Sequence, residues 1–288
     1  MKKNTVRVSI VAANYNNSRY LINFIESIIN STVLPMELII IDDGSTDNSL
    51  QILNNYSHLS YLRIIKFKKN KGFCHALNTG IQASTGDYIL RVDPDDIILK
   101  HRIEMQVAFL EKHLDIDVVG SNVIYFDGNT RKELFVSNFP VSHEAIYQEY
   151  FNGDHGVQHP STMIRSSVLK QYKYNQENVL AEDYEIFAKM IKDGHRFANI
   201  KEPLLRMRIH SKSAGSNIKL AIIEKTFKLR DTLFNTSTSS IKIRCYYLYM
   251  LNYRHFLLSK NIIVKWIYLV FAVICQPQKL IKRIVKSL

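Results

Sequence analysis

Acidic residues vanish from the end of this chain: no Asp or Glu follows Asp231, while Lys242, Arg244, Arg254, Lys260, Lys265, Lys279, Lys282, Arg283 and Lys286 do. Cysteine is scarce as well. Cys74, Cys245 and Cys275 are far apart and match neither a disulfide framework nor a metal-site spacing, which fits a reducing compartment. No low-complexity tract or internal repeat is present, and this excludes solenoids and arrays. Long apolar runs are also lacking. The stretch 266–275 is too short for a bilayer span, which needs about 20 apolar residues. At the N-terminus, Lys2 and Lys3 precede an apolar run, but Arg7 and Ser9 break it and Asn14 soon follows. It reads as a first strand rather than a signal peptide.

What remains is a chain of 288 residues, enough for one large domain or a domain with an appended segment. Its 38 Lys and Arg exceed its 26 Asp and Glu, a formal charge of +12. Such a surplus favours a polyanionic partner: nucleic acid, anionic lipid or a phosphate-bearing substrate. The surplus lies in the tail, and the upstream part is nearer balance.

In the first half, short apolar runs alternate with helix-period segments. Residues 8–13 form a strand candidate, and Leu21, Ile22, Ile25, Ile28 and Ile29 then fall on one helical face. The run 38–41, "LIII", is nearly all apolar, as in a parallel strand covered on both sides. "DDGSTDNS" ends it, with N-cap candidates at 45–47. Strand candidates at 61–67 and 88–92 alternate with helix patterns at 72–83 and 99–114. This order predicts an α/β fold with an open, mostly parallel sheet and helices on its faces. Ligands in such sheets bind at the carboxyl ends of the strands. Asp42-Asp43 and Asp93-Asp95-Asp96 both follow strand ends. A solvated turn is one explanation for the second cluster, and a divalent cation held by hard oxygen ligands is the other.

The second half is less regular. "FDGNTRKELF" predicts a hairpin at Asp127-Gly128. A helix is expected over 182–192 with Gly194 as its C-terminal cap. Two short strands are expected, at 197–200 and 204–209, and amphipathic helix from about 217 on.

Four segments together resemble family 2 glycosyltransferases with the GT-A fold, in order and spacing: "VSIVAANYN", "LIIIDDGSTDNS", "NKGFCHALNTGIQASTGDYILRVDPDD" and "AEDYEIFAKMIKDG". The resemblance covers roughly residues 6–212, is highly specific as a combination, and is weak for any single piece. It implies a nucleotide-sugar site at Ala13, Tyr15, Asn16, Asp43, Asn70, Gly72 and Asp93. Tyr15 and Asn16 fall where the family places the uracil ring, and an aromatic face there can stack on a base; a core tyrosine at a strand end is the alternative. Ala13 stands where the family has Pro, which leaves the local turn shape open. Asp43 matches the carboxylate that accepts a hydrogen bond from the nucleobase, whereas Asp42 reads as structural. A glycine at position 72 permits close backbone approach. Asp93 corresponds to the residue facing ribose and phosphate. Asp95 corresponds to the ligand of Mn²⁺ or Mg²⁺.

Glu182-Asp183 would suit the positive end of a helix dipole in any protein. Within the resemblance they match the catalytic acidic pair. Asp183 is then the general base towards an acceptor hydroxyl, and Glu182 helps to bind sugar hydroxyls. One base and in-line attack imply inversion at the anomeric carbon. His159 and His210 also fall at family His positions. His210 is a candidate further metal or diphosphate ligand, against the plainer reading of a lone histidine. Arg206 and Arg208 either add charge near the diphosphate or line a solvated strand edge.

The resulting expectation is an inverting, metal-dependent transferase. It moves sugar from a nucleotide donor, UDP-linked, to a glycan or lipid-linked acceptor in surface polysaccharide synthesis. Residues 1–215 form the catalytic domain, with a nucleotide half at 1–115 and an acceptor half at 116–215, and 216–288 a basic helical tail. The tail either packs on the domain or, as preferred, lies on an anionic membrane surface at the cytoplasmic face of the plasma membrane. A polyprenyl-phosphate acceptor is the enzymatic alternative, since it needs no base. A nucleic-acid-binding reading is disfavoured, because carboxylates at the strand ends repel a phosphate backbone.

Overall fold

A computed structural model describes residues 7–210, 218–259, 261–277 and 279. Lys260, Lys282, Arg283, Lys286 and the division at 215/216 lie outside the described residues. Strands β1 (Val8–Asn14), β2 (Glu37–Asp42), β3 (Leu62–Lys66) and β4 (Tyr88–Arg91) are joined by helices α1 (Ser18–Ile29), α2 (Ser49–Asn55) and α3 (Phe73–Ala83). All their pairings are parallel, in the order β3–β2–β1–β4.

The apolar run of β2 follows from this architecture. Leu38 and Ile40 pack with Leu21, Phe24, Ile25 and Ile28 of α1 on one face. Ile39 and Ile41 pack with Ala76, Leu77 and Ile81 of α3 on the other. With both faces covered, the four central positions, 38–41, are all apolar, and the acidic residues Glu37 and Asp42 fall at the strand's ends.

The second half adds β5 (Ile97–Ile98), α4 (Arg102–Lys112), β6 (Val118–Asp127), β7 (Glu133–Val136), α5 (His143–Phe151), β8 (Met163–Arg165), α6 (Ser166–Leu169), α7 (Glu182–Lys192) and β9 (Phe197–Ile209). The sheet continues from β4 through β8, β6 and β9 to β5, with β7 beside β6. Of these pairings only β6 with β9 is parallel, so the parallel character belongs mainly to the first half.

Two expectations change. The short strands at 197–200 and 204–209 are one strand, whose register against β6 shifts around Asn122. Pro203, lacking an N–H, interrupts the ladder there without ending the strand. The helix read from 99 begins at Arg102, because the Leu99 amide donates to Leu204 O and draws that segment into the sheet. The hairpin at Asp127 is present, and its turn is held by Asp127 Oδ1 accepting from the amides of Asn129 and Thr130. Gly194, at φ +93°, caps α7: its amide donates to Ile191 O and that of His195 to Met190 O.

Helices α8 (Leu220–Phe234), α9 (Ser240–Leu258) and α10 (Ile262–Cys275) follow. Helix α8 buries Phe227 and Arg230, and Arg230 Nη1 donates to Phe151 O at 3.4 Å. Helix α9 buries Tyr246 and Tyr249. Helix α10 runs along α9 and leaves Ile263, Trp266, Ile267, Val270, Phe271 and Ile274 exposed. Among the described residues, no helix is long and apolar enough to cross a membrane.

Candidate active site

Strand β1 lies between β2 and β4, so the chain reverses its direction of growth there. The crevice at the carboxyl ends of these strands is where such sheets take ligands. Ala13 is buried at the end of β1, and Tyr15 beyond it is 45% exposed, free to offer a ring face. Asn16, at φ +54°, is exposed. Its Oδ1 accepts from the amides of Thr46 and Asp47, at 2.8 and 3.3 Å, and so shapes the loop after β2. Asp42 is buried, accepting from Asn14 Nδ2 and from the Ser45 amide, which bears out its structural reading.

Asp43 is also buried. Its two oxygens accept the amides of Lys71 and Gly72, at 2.7 and 2.9 Å. The carboxylate therefore holds the loop carrying Asn70, which is exposed, and Gly72, at φ +97°. Gly44 tightens the same junction: a Cβ there would lie 2.6 Å from Lys69 C.

After β4 the carboxylates converge. One ligand oxygen each from Asp93, Asp95 and Asp96 can be chosen so that all lie within 4.8 Å of one another. Arg91, 3% exposed, grips both oxygens of Asp93, with Nη1 to Oδ2 at 2.9 Å and Nη2 to Oδ1 at 2.7 Å. Burial nevertheless raises the Asp93 carboxyl above its ordinary value, against the pull of Arg91. Asp96 is held well above the carboxylate range by burial and then by the charges of Asp95 and Asp93. Its Oδ1 accepts the Arg208 amide at 2.9 Å, while its buried Oδ2 has no hydrogen-bond partner.

His210, distant in sequence, arrives at the end of β9 and places Nε2 3.0 Å from Asp95 Oδ2. Tyr20 stacks on its ring, and Arg208 lies over Tyr20 and donates Nε to Asp95 O. The three carboxylates, of which Asp96 keeps an unpartnered buried oxygen, bring hard oxygen donors together as a divalent cation requires, and His210 stands beside Asp95. Arg206 is placed differently, pairing with Glu133.

The second acidic centre opens α7. Burial, and then the charge of Asp183, push the Glu182 carboxyl up to about 7. Asp183 is more open; Oδ1 accepts the Tyr184 amide at 2.8 Å, and Oδ2 faces His155 Nδ1 at 3.7 Å. Arg91 feels both centres: after Asp93, the charges of Glu182 and Asp183 help to keep its guanidinium protonated against burial. His159 is a buried core residue, its Nε2 2.6 Å from Tyr174 Oη, and burial pushes its imidazole well below the usual range.

Arg91, Arg102 and His155 escaped the sequence reading. Arg91 had a visible signal, a cation inside the apolar run "YILRV". Arg102 is fully buried behind the cluster and donates to Arg91 O; burial pushes its guanidinium down to about 9. His155 had none, being one histidine in the loop "GDHG".

A sheet of this order, with helices on both faces, is that of the GT-A fold. The chain belongs to glycosyl transferase family 2, whose model matches residues 9–173. It is 33% identical over 207 residues to an uncharacterized glycosyltransferase of Methanocaldococcus jannaschii, covering 70% of each chain. To the UDP-Gal:alpha-D-GlcNAc-diphosphoundecaprenol beta-1,3-galactosyltransferase of Escherichia coli it is 27% identical over 229 residues, 78% of this chain and 82% of that one. Its fold is similar to that of S. aureus TarS in complex with UDP-GlcNAc, with a TM-score of 0.63 at 22% identity, over 88% of this chain and 74% of that one.

Proposed function

We propose that this glycosyltransferase is inverting and metal-dependent, and moves a sugar from a UDP-linked donor to a hydroxyl of a glycan or lipid-linked oligosaccharide in surface polysaccharide synthesis. The observation that carries the reading is the placement of buried Arg91 against Asp93 and within the field of Glu182 and Asp183. This supports reading the donor-side and acceptor-side carboxylates as parts of one site. The Escherichia coli relative, named for a UDP-Gal donor and a diphosphoundecaprenol-linked acceptor, supports the substrate classes.

In this reading Tyr15 stacks on the base, Asn16 shapes the loop beside it, and Asp43, which also holds the loop at 71–72, accepts a hydrogen bond from the base. Asn70 and Gly72 present their backbone to the nucleotide. Asp93, clamped by Arg91, faces ribose and phosphate. Asp95 and His210 would hold Mn²⁺ or Mg²⁺, and a bound cation would offset charge building on the departing diphosphate. Asp183 removes the acceptor proton as the acceptor oxygen bonds to the anomeric carbon and the bond to phosphate breaks on the opposite face. Glu182 holds sugar hydroxyls.

Residues 1–215 act as the catalytic domain, in halves 1–115 and 116–215. The tail, 216–288, rests on an anionic membrane at its cytoplasmic face, where a lipid-linked acceptor is available.

Asp95→Ala should abolish the metal-dependent part of UDP-sugar affinity, and transfer with it. Asp183→Asn should keep donor affinity and its metal dependence but slow transfer by ~10²–10⁴-fold. Calorimetry with and without Mn²⁺, beside turnover, separates the two. Near wild-type transfer by the Asp183 variant would remove the base and point to an acceptor already ionised, such as polyprenyl phosphate.

A further inference from the structure

The outer oxygen of Asp183 faces a histidine ring that reaches solvent. His155 Nδ1 lies 3.7 Å from Asp183 Oδ2, and the His155 side chain is 41% exposed against 27% for Asp183. The separation is slightly beyond a hydrogen bond, as is common for catalytic pairs before substrate closes the site.

The loop that carries His155 is firmly held. Gly153 sits at φ +81°, and a Cβ on Gly156 would press within 2.7–3.0 Å of Ile146. Asn199 Nδ2 donates to Gly156 O at 2.8 Å, and the Asp154 amide to Glu149 O at 2.9 Å. The imidazole stands edge-on to the rings of Tyr150 and Tyr184, at 6.2 and 5.7 Å between centroids, which fixes its plane. Besides Asp183, the ionisable groups around it are Glu182 on α7, those two tyrosines, His159 on the following turn, and Asp154 before it. Asp154 is taken up by Tyr246 Oη at 2.6 Å and by Lys279.

We infer that His155 is the partner of Asp183: its Nδ1, unprotonated in the starting state, takes over the proton that Asp183 removes from the attacking hydroxyl. The inference rests on Asp183 being the base. The balance is simple. The hydroxyl proton passes to Asp183 as the new glycosidic bond forms and the anomeric carbon–phosphate bond breaks. The neutral carboxyl then passes it to neutral imidazole, which releases it to solvent, and both side chains return to their starting states. His155 acts through Asp183 and is a positioning residue.

The test uses full-length protein and a UDP-sugar that the wild type hydrolyses, with UDP-galactose and UDP-GlcNAc tried first. Water is the acceptor and UDP release the readout, so the same proton must be removed. His155→Ala should lower kcat at least about tenfold at unchanged donor KM, with added imidazole restoring part of it through the open space left behind. His155→Gln, which fills that space but cannot accept a proton, should lose kcat without rescue and serves alone if the alanine variant folds poorly. Rescue is the decisive readout because Glu182 titrates in the same pH range. Unchanged kcat in both His155 variants, with Asp183→Asn inactive, overturns the inference and leaves the base in place. A raised KM without imidazole rescue also overturns it, leaving His155 a loop-shaping residue. Full activity of Asp183→Asn removes the base, and the inference with it.

Discussion

At the level of single residues, burial penalises the ionised carboxyls of Asp93, Asp96 and Glu182. Arg91 offsets part of that cost, and Arg208 and His210 bracket Asp95. Glu182, too, is held above its ordinary value by burial and by the charge of Asp183. Its folded value of about 7 lies above that of an unfolded glutamate, so the folded protein binds the proton more tightly. This favours folding fully at pH below about 4.3, and the advantage is lost as pH rises through 7. Glu182→Gln removes the ionisation and should therefore stabilise the protein increasingly with pH. Between pH 5 and 8 the stability difference from wild type should grow by about 2 kcal/mol in denaturant titrations. A difference independent of pH would show that Glu182 is not held protonated.

At the level of elements, two glycines at helix ends have different duties. Gly194 follows α7 with a left-handed backbone and nothing within 4 Å of an added Cβ. Gly72 precedes α3, and a Cβ there would collide with the Gln176 side chain while its backbone, at ψ 153°, is one that only glycine adopts readily. Gly194→Ala should cost about 1 kcal/mol of stability and leave UDP affinity unchanged. Gly72→Ala should cost about 1–3 kcal/mol and also weaken UDP binding, because the loop held by Asp43 must shift. Thermal melts and UDP calorimetry on both variants check the contrast. Equal UDP affinity for both would detach the Gly72 loop from the donor site.

At the level of the whole molecule, the apolar face of α10 and the absence of acidic residues after Asp231 act together. A helix of 14 residues with Trp266 and Phe271 exposed can lie in a membrane interface but not cross the bilayer. Full-length protein should bind anionic vesicles at low salt and detach as salt rises, since the attraction is screened within a Debye length. Protein ending before Asn261 should not bind. Salt-independent binding, or none by the intact chain, would leave α10 as a helix whose face serves another purpose. Truncation is expected to spare UDP binding, since every donor-site residue lies upstream of α8.

How much of this was legible in the sequence follows from range. The alternation of strands and helices, the apolar centre of β2, the hairpin at Asp127 and the Gly194 cap depend on neighbours within a turn or a strand, and the residue pattern alone determined them. So did the acidic clusters, because consecutive carboxylates at a strand end are visible without a fold. The joining of 197–209 into one strand needed β6 beside it, since a Pro-interrupted ladder survives only when a partner strand continues past the gap. The pairing of His210 with Asp95, of His155 with Asp183, and the placing of Arg91 between two acidic centres were decided by tertiary structure. These groups meet across distant segments, and a side chain's charge state is set by burial and by neighbours that only the folded chain brings within reach.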